Sequence, residues 1–212
     1  MAYFPFMIDI CDKNCLIVGG GTVALHKAEI LLGFEVNIVV VSPVLEEKFY
    51  LLEREQGRIQ LREQKFLDKD LEGMDFVVAA TDSRELNQYI SGLCRKKGLP
   101  VNAVDQKEAC SFYFPAMIQD HDMLVAISSG GQSPAAVSYL KKKLVSSIPE
   151  YYGEMAEKMG AYRQYILEEV PAAAKRKKIF YQLLSYGESH EGEIPEEVVK
   201  EFIDRYRSHR PQ

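Results

Sequence analysis

Residues 15–24 read Cys-Leu-Ile-Val-Gly-Gly-Gly-Thr-Val-Ala, an apolar run that ends in three glycines and continues with helix-forming residues. This order predicts a strand, a tight turn and a helix. Gly19, Gly21 and Ala24 fit the G-x-G-x-x-G/A spacing, in which the first glycine turns the chain and the second lets the backbone approach a pyrophosphate. The N–H groups that begin the helix then form a seat for a diphosphate. Glycine-rich turns also form for steric reasons alone, so the motif gains its weight from its position between a strand and a helix.

The rest of the first half of the chain alternates apolar runs with helical segments. The first helix is predicted over residues 22–32, with Gly33 as its stop, and Asp82 followed by Glu85 predicts the start of a later helix. The strand-like runs are 35–41, 58–63, 75–80 and 100–104, and the other helices cover about 45–56 and 82–97. This alternation predicts an α/β fold with a Rossmann-like, doubly wound parallel sheet.

Polar residues follow the predicted strands, at the sheet edge where such folds bind their ligands. They are Thr22, Ser42, Thr81, Asp82 and Asp105. A carboxylate at this edge, such as Asp105, suits proton transfer, although aspartate also commonly caps turns.

The pattern changes from about Cys110 onward. Two short strands around Asp120-His121-Asp122 predict a hairpin, and Ser133-Pro134 predicts a capped helix start. Only helical segments follow, with breaks expected near Pro171, around 187–193 and at Pro195. We therefore expect three regions: a dinucleotide-binding domain (1–112), a hairpin-plus-helix dimerisation and substrate region (113–148) and a helical carboxyl-terminal domain (149–212).

Composition excludes several classes of protein. The net charge of −5 argues against a general nucleic-acid binder, and no apolar run is long enough to span a membrane. The four cysteines contain no C-x-x-C pair, and no two histidines have metal-ligand spacing, so neither a structural zinc site nor a disulfide framework is indicated. The amino terminus lacks the basic segment of a signal peptide, and we expect a cytoplasmic protein.

Three segments together resemble the precorrin-2 dehydrogenase family, which also forms the amino-terminal module of siroheme synthase and includes sirohydrochlorin ferrochelatases. They are the glycine turn with Lys27, the segments 79–87, 101–105 and 111–116 taken together, and the run 126–134 (Ala-Ile-Ser-Ser-Gly-Gly-Gln-Ser-Pro). The resemblance covers about residues 1–150. It looks like a stand-alone form, because no methyltransferase segment is present.

The resemblance implies NAD-dependent oxidation of precorrin-2 to sirohydrochlorin, with Asp105 as the catalytic carboxylate. A bifunctional enzyme that also inserts Fe²⁺ or Co²⁺ into the product is one alternative, and a non-catalytic NAD-sensing module is another. The resemblance also implies a homodimer, which agrees with the need to cover the edges of the hairpin.

The cofactor-binding residues predicted for NAD are Gly19, Gly21, Thr22, Val23, Ser42, Pro43 and Thr81. Many dinucleotide sites carry an acidic residue about 20 positions after the glycines, to bind the ribose hydroxyls. Here that place is Val41-Ser42-Pro43. The resemblance suggests that Ser42 and backbone N–H groups bind the ribose instead. Because this segment has no arginine for a 2′-phosphate, NAD is favoured over NADP.

The substrate-binding residues implied by the resemblance are Ser128, Ser129 and Gly130. Ser129 matches a serine that is phosphorylated in some siroheme synthases. Because precorrin-2 carries eight carboxylates, lysines are expected near it, and Lys107 is one candidate. No protein ligands for a resident metal are predicted.

Overall fold

The computed structural model describes residues 4–207 and divides the chain into two compact units, Met1–Phe114 and Pro115–Gln212. The first unit contains a five-stranded parallel sheet in the order β3-β2-β1-β4-β5. Its strands are β1 (Asn14–Val18), β2 (Asn37–Val41), β3 (Ile59–Arg62), β4 (Phe76–Ala79) and β5 (Val101–Ala103). Helices α1 (Thr22–Leu32), α2 (Glu47–Glu55) and α3 (Arg84–Lys97) connect them. The predicted doubly wound α/β fold is confirmed.

The sheet is buried on both faces, which explains why its strands read as continuous apolar runs. Alternate residues of β1, β2 and β4 enter two different cores. Ile17, Val40 and Phe49 belong to the core that contains residues of α1 and α2. Val18 and Ile90 belong to the core that contains residues of α3.

The start of α3 differs from the prediction by one residue. Ser83, rather than Asp82, is the N-cap, and its hydroxyl accepts a hydrogen bond from the N–H of Leu86 at 3.2 Å. Serine and aspartate can both cap a helix, so two adjacent candidates could not be separated from the sequence. The other end is as expected, because Gly98 adopts a left-handed conformation with φ 70°.

The second unit consists of one hairpin and five helices within the described residues. Strands β6 (Ala116–Asp120) and β7 (Met123–Ile127) pair in antiparallel register, which confirms the predicted hairpin. The helices are α4 (Pro134–Val145), α5 (Tyr152–Ala161), α6 (Arg163–Glu169), α7 (Ala173–Ser189) and α8 (Glu196–Arg207). Ser133 caps α4 through the N–H of Ala136, as expected. A separate dimerisation region at residues 113–148 stays a prediction.

One helix end in this unit lies later than predicted, and one break between helices was not predicted. The break expected around 187–193 begins only after Ser189, because α7 continues through Gly187. A Cβ atom at Gly187 would lie 2.6 Å from the Sδ atom of Met155, so this glycine allows α7 to pack closely against α5. A further break at Tyr162, between α5 and α6, was not predicted, although Gly160 lies in the last turn of α5.

The carboxylate of Asp120 joins the tip of the hairpin to the first turn of α5. Its Oδ2 accepts the N–H of Gly153 at 2.8 Å, and its Oδ1 lies 2.9 Å from Nδ1 of His121. The hydrogen bond from His121 lowers the pKa of Asp120. The same bond, with Glu157 and Glu154 nearby, raises the pKa of His121. The pair therefore stabilises the folded unit while Asp120 is ionised and His121 is protonated.

We expect His121→Asn to lower the melting temperature at about pH 5.5 but not above about pH 8. Because the pKa of His121 is raised in the folded state, its contribution to the stability of the folded protein is complete below the ordinary pKa of 6.5. The contribution is lost as the pH rises through the folded-state pKa. Asparagine suits this position, where φ is 52°. Melting curves across this pH range measure the difference. His26→Gln, on the exposed face of α1, is the control, and a pH-independent loss at His121 would contradict the account.

Candidate functional site

The three glycines after β1 differ in whether the surrounding structure requires glycine at their position. Gly19 has φ 126°, and a Cβ atom there would lie 2.2 Å from the carbonyl oxygen of Ala80. A Cβ atom at Gly20 would lie 2.0 Å from the carbonyl oxygen of Val44. At Gly21, by contrast, a Cβ atom would meet no described atom within 4 Å. Gly19 and Gly20 are thus required by the protein's own backbone, whereas Gly21 borders open space.

That open space lies at the start of α1. Gly21 is the N-cap, and within residues 4–207 no side chain caps this helix and no acidic residue occupies its first turn. Gly21, Thr22 and Val23 are exposed. The first N–H groups of a helix lack intrahelical partners and carry partial positive charge. This end of the helix therefore fits the diphosphate of a dinucleotide.

The segment after β2 offers fewer groups for ligand binding than predicted. Ser42 is buried, and its hydroxyl donates a hydrogen bond to the carbonyl oxygen of Val44 at 2.7 Å. Ser42 therefore shapes the loop that closes on Gly20, and its oxygen can act towards a ligand only as an acceptor. Pro43 is exposed. A role for these two residues in binding ribose stays a prediction.

Thr81, which follows β4, is fixed by a buried asparagine of α3. The side chain of Asn87 is 2 % exposed. Its Oδ1 lies 2.7 Å from the Thr81 hydroxyl, and its Nδ2 donates to the Thr81 carbonyl oxygen at 2.9 Å. The sequence analysis gave Asn87 no role of its own, although a polar residue on the buried face of a helix is a signal for such a contact.

Asp105 is exposed just beyond the end of β5, with φ 57°. Left-handed conformations are uncommon outside glycine, and asparagine and aspartate tolerate them best. In the sheet order, β5 and β1 are separated only by β4, which places two strand spacings, about 10 Å, between them. Asp105 and the glycine turn thus occupy the same edge of the sheet.

Several contacts fix the loop that carries Asp105. Gln106 is buried and donates through Nε2 to the carbonyl oxygen of Arg84 at 3.1 Å. Ser91 donates to the carbonyl oxygen of Ala109 at 2.6 Å. The thiol of Cys110, whose pKa burial raises, lies 3.1 Å from the carbonyl oxygen of Ala103 and stays protonated. These contacts fix the conformation of the loop, and no local sequence pattern indicates them.

Lys107 is exposed in the same loop, and its carbonyl oxygen accepts the hydroxyl of Tyr113 at 3.0 Å. Lys27, on α1, is half-buried, and its Nζ lies 4.1 Å from the ring centre of Phe114. Burial lowers the pKa of Lys27. The first unit therefore offers an exposed lysine, Lys107, in the loop that carries Asp105, as carboxylate recognition would require.

The other predicted substrate residues lie in the second unit, between β7 and α4. Ser128 accepts the N–H of Gly130 at 3.1 Å, and Ser129 accepts the N–H of Ser133 at 3.0 Å. Gly130 and Gly131 have φ values of 62° and 79°. This turn requires glycine for its conformation, and its role towards a substrate stays a prediction.

Two features are absent from residues 4–207. No helix in that part of the chain is long and apolar enough to cross a lipid bilayer. No group of three or more His, Cys, Asp or Glu side chains among them is arranged to hold a metal ion. Metal insertion into a tetrapyrrole, with the metal as a substrate, stays a prediction.

The fold and the uncapped glycine turn define an α/β dinucleotide-binding domain. Residues 6–116 match a family model described as "Putative NAD(P)-binding", and the chain belongs to this NAD(P)-binding family.

Curated relatives and a solved structure extend the similarity beyond that domain. The "Siroheme synthase" of Thioalkalivibrio sulfidiphilus is 36% identical over 184 residues, which cover 87% of this chain and 37% of the relative. The "Siroheme synthase" of Pseudomonas aeruginosa is 35% identical over 200 residues, covering 94% and 41% respectively. The chain thus spans about two fifths of their length. The solved structure of "SirC, precorrin-2 dehydrogenase" has a TM-score of 0.75 and 21% identity, covering 98% of this chain and all of that one, and it supports the fold.

Proposed function

We propose that this protein catalyses the NAD-dependent dehydrogenation of precorrin-2 to sirohydrochlorin in siroheme biosynthesis. The observation that carries the proposal is the exposed Asp105 carboxylate, held at the same sheet edge as the uncapped start of α1. Similarity to siroheme synthases over 87% to 94% of the chain supports the substrate class.

The chain's own residues would bind the cofactor by its diphosphate. The N–H groups at Gly21, Thr22 and Val23 would donate to it, and the missing side chain of Gly21 leaves room for its oxygens. Thr81, fixed by Asn87, would border the nicotinamide end. Bound NAD⁺ supplies the hydride acceptor.

Asp105 would act as the general base. Dehydrogenation would remove two hydrogens from the substrate, one as a hydride, for which bound NAD⁺ would be the acceptor, and one as a proton. The Asp105 carboxylate would accept that proton. The electron pair that the proton leaves behind would form the new double bond of the macrocycle. Because the loop is held by Gln106 and Cys110, the carboxylate needs little reorganisation during the reaction.

Lysines of the first unit are candidates for binding the carboxylates of the substrate. Lys107 and Lys27 of the first unit could interact with its carboxylates. A substrate role for Ser128, Ser129 and Gly130 of the second unit is proposed from the resemblance alone, since the N–H of Gly130 already donates to the Ser128 hydroxyl.

The direct test of activity mixes the purified protein with NAD⁺ and enzymatically generated precorrin-2. We expect NADH absorbance to rise together with the spectrum of sirohydrochlorin, at equal molar amounts. NAD⁺ binding without any turnover would support the alternative of a sensing module and contradict the proposal.

We further propose that the protein forms a homodimer through α4. In the described part of the chain, α4 has no buried residue, although Tyr139, Leu140 and Val145 are large apolar side chains on it. Exposed apolar side chains clustered on one element favour an interface, and the resemblance to precorrin-2 dehydrogenases makes a second copy of this chain the expected occupant.

We expect Tyr139→Glu to convert the dimer to a monomer in sedimentation experiments at micromolar concentration, since it places a charge in the apolar interface. Tyr181→Glu is a matched control, because Tyr181 of α7 is also 62% exposed but lies outside α4. A wild-type protein that sediments as a monomer, or equal effects of both substitutions, would contradict this interface.

A further inference from the structure

Strand β3 brings an arginine to the cofactor-binding edge of the sheet. Arg62 is its last residue and pairs with Val41, the last residue of β2. The N–H of Ser42 donates to the carbonyl oxygen of Arg62 at 3.2 Å. In dinucleotide sites the end of β2 is where the adenosine ribose is recognised. Residues 41–43 contain no arginine, and Arg62 was not predicted here because the pairing of β2 with β3 joins positions 21 residues apart.

The guanidinium of Arg62 is only partly used within the protein. Its Nη1 lies 3.4 Å from Oδ1 of Asp70, its Nη2 lies 3.2 Å from Oε1 of Gln60, and its side chain is 37% exposed. A guanidinium has five N–H donors. Three of them have no partner among the described residues and could bind phosphate oxygens.

Asp70 does not depend on Arg62 alone. Its buried carboxylate also accepts the N–H of Leu67 at 2.9 Å and lies 3.4 Å from Nε2 of Gln64. A buried carboxylate without a hydrogen-bond partner would be strongly destabilising. Because Asp70 has these other partners, Arg62 could turn towards a ligand without leaving it unpaired.

At this edge, one carboxylate that would repel a phosphate is replaced by other residues, and another is hydrogen-bonded within the protein. The position after β2 holds Ser42 and Pro43 instead of the acidic residue that selects an unmodified ribose. Glu63, the acid that directly follows Arg62, accepts a hydrogen bond from the hydroxyl of Tyr50 on α2. Lys65 is exposed in the loop that follows β3.

We infer that Arg62 is a specificity-determining residue that binds the 2′-phosphate of NADP⁺, so that the site accepts NADP⁺ as well as NAD⁺. This inference rests on the proposed function, because it places the adenosine end of the cofactor beside β2. Arg62 has no part in the hydride or proton transfer, which takes place across the sheet at Asp105.

The test is calorimetric titration of the whole chain with NAD⁺ and with NADP⁺. We expect both to bind to the wild type, with dissociation constants within about tenfold. Arg62→Gln should weaken NADP⁺ binding by about tenfold or more, as expected for loss of charge-assisted hydrogen bonds, and leave NAD⁺ binding within about twofold. Arg62→Lys should retain part of the NADP⁺ affinity, because it keeps the charge but not the planar fork.

Two further variants separate an effect of Arg62 on NADP⁺ binding from an effect on stability or on overall charge. If Arg62→Gln lowers stability through Asp70, the double variant Arg62→Gln/Asp70→Asn removes the pair together and should show the same selective loss. Arg58→Gln is the matched control, because Arg58 precedes the opposite end of β3 and pairs with Asp12 at 2.7 Å. Arg58→Gln should leave the ratio of the two affinities unchanged.

The outcomes separate this inference from the proposed function. NAD⁺ binding without NADP⁺ binding, or equal effects of Arg62→Gln on both cofactors, would overturn the role of Arg62 and leave the proposed function intact. Failure of both cofactors to bind to the folded wild type would overturn both.

Discussion

Asp105→Asn is expected to lower the rate of precorrin-2 oxidation by about 10²- to 10⁴-fold, which is the usual contribution of a positioned general base. An amide cannot accept the proton that leaves the substrate. NAD⁺ affinity and melting temperature should stay close to those of the wild type, because Asp105 is exposed and its side chain contributes nothing to either core. Steady-state kinetics with NADH detection measure the loss.

Asparagine is the appropriate replacement here because φ at residue 105 is 57°. Asparagine tolerates this conformation, whereas alanine would add backbone strain and blur the result. Asp82→Asn is the matched control, since Asp82 is an exposed carboxylate that follows the neighbouring strand β4. Asp105→Asn with full activity, or an equal loss in Asp82→Asn, would refute the role of Asp105.

Alanine substitutions at the three glycines of the turn are expected to affect two different properties, stability at Gly19 and Gly20 and NAD⁺ binding at Gly21. Gly19→Ala and Gly20→Ala should each lower the free energy of unfolding by at least about 2 kcal/mol, because the new methyl group meets a backbone carbonyl that cannot move easily. The distances are 2.2 Å to Ala80 and 2.0 Å to Val44. Chemical denaturation of each variant measures these losses.

Gly21→Ala should instead fold with nearly wild-type stability and bind NAD⁺ at least about tenfold more weakly. Gly21 has ordinary extended dihedral angles, and its new methyl group would project into the space assigned to the diphosphate. Gly33→Ala at the other end of α1 is the control for binding. Unchanged NAD⁺ affinity in Gly21→Ala would place the cofactor elsewhere.

The sheet could be predicted because burial on both faces leaves a strong pattern in the sequence. Strands such as β2 and β4 are continuous apolar runs, and helices such as α1 and α4 begin after the turn chemistry that helices require. The left-handed Asp105 was also placed correctly after β5, because a polar residue directly follows the apolar run.

What could not be predicted depends on contacts between distant parts of the chain. The requirement for glycine at position 20 comes from the carbonyl of Val44, and that at position 187 from Met155. Arg62 reaches the cofactor-binding edge only through pairing of β3 with β2. No local pattern indicates such contacts, so the glycine turn could be predicted from the sequence but the arginine at the end of β3 could not.

The most direct test of the central claim is a crystal structure of the protein with bound dinucleotide. The account predicts the diphosphate on the N–H groups of Gly21, Thr22 and Val23, with the nicotinamide ring extending towards Asp105. A diphosphate bound away from the start of α1, or a nicotinamide ring on the far side of the sheet from Asp105, would contradict it.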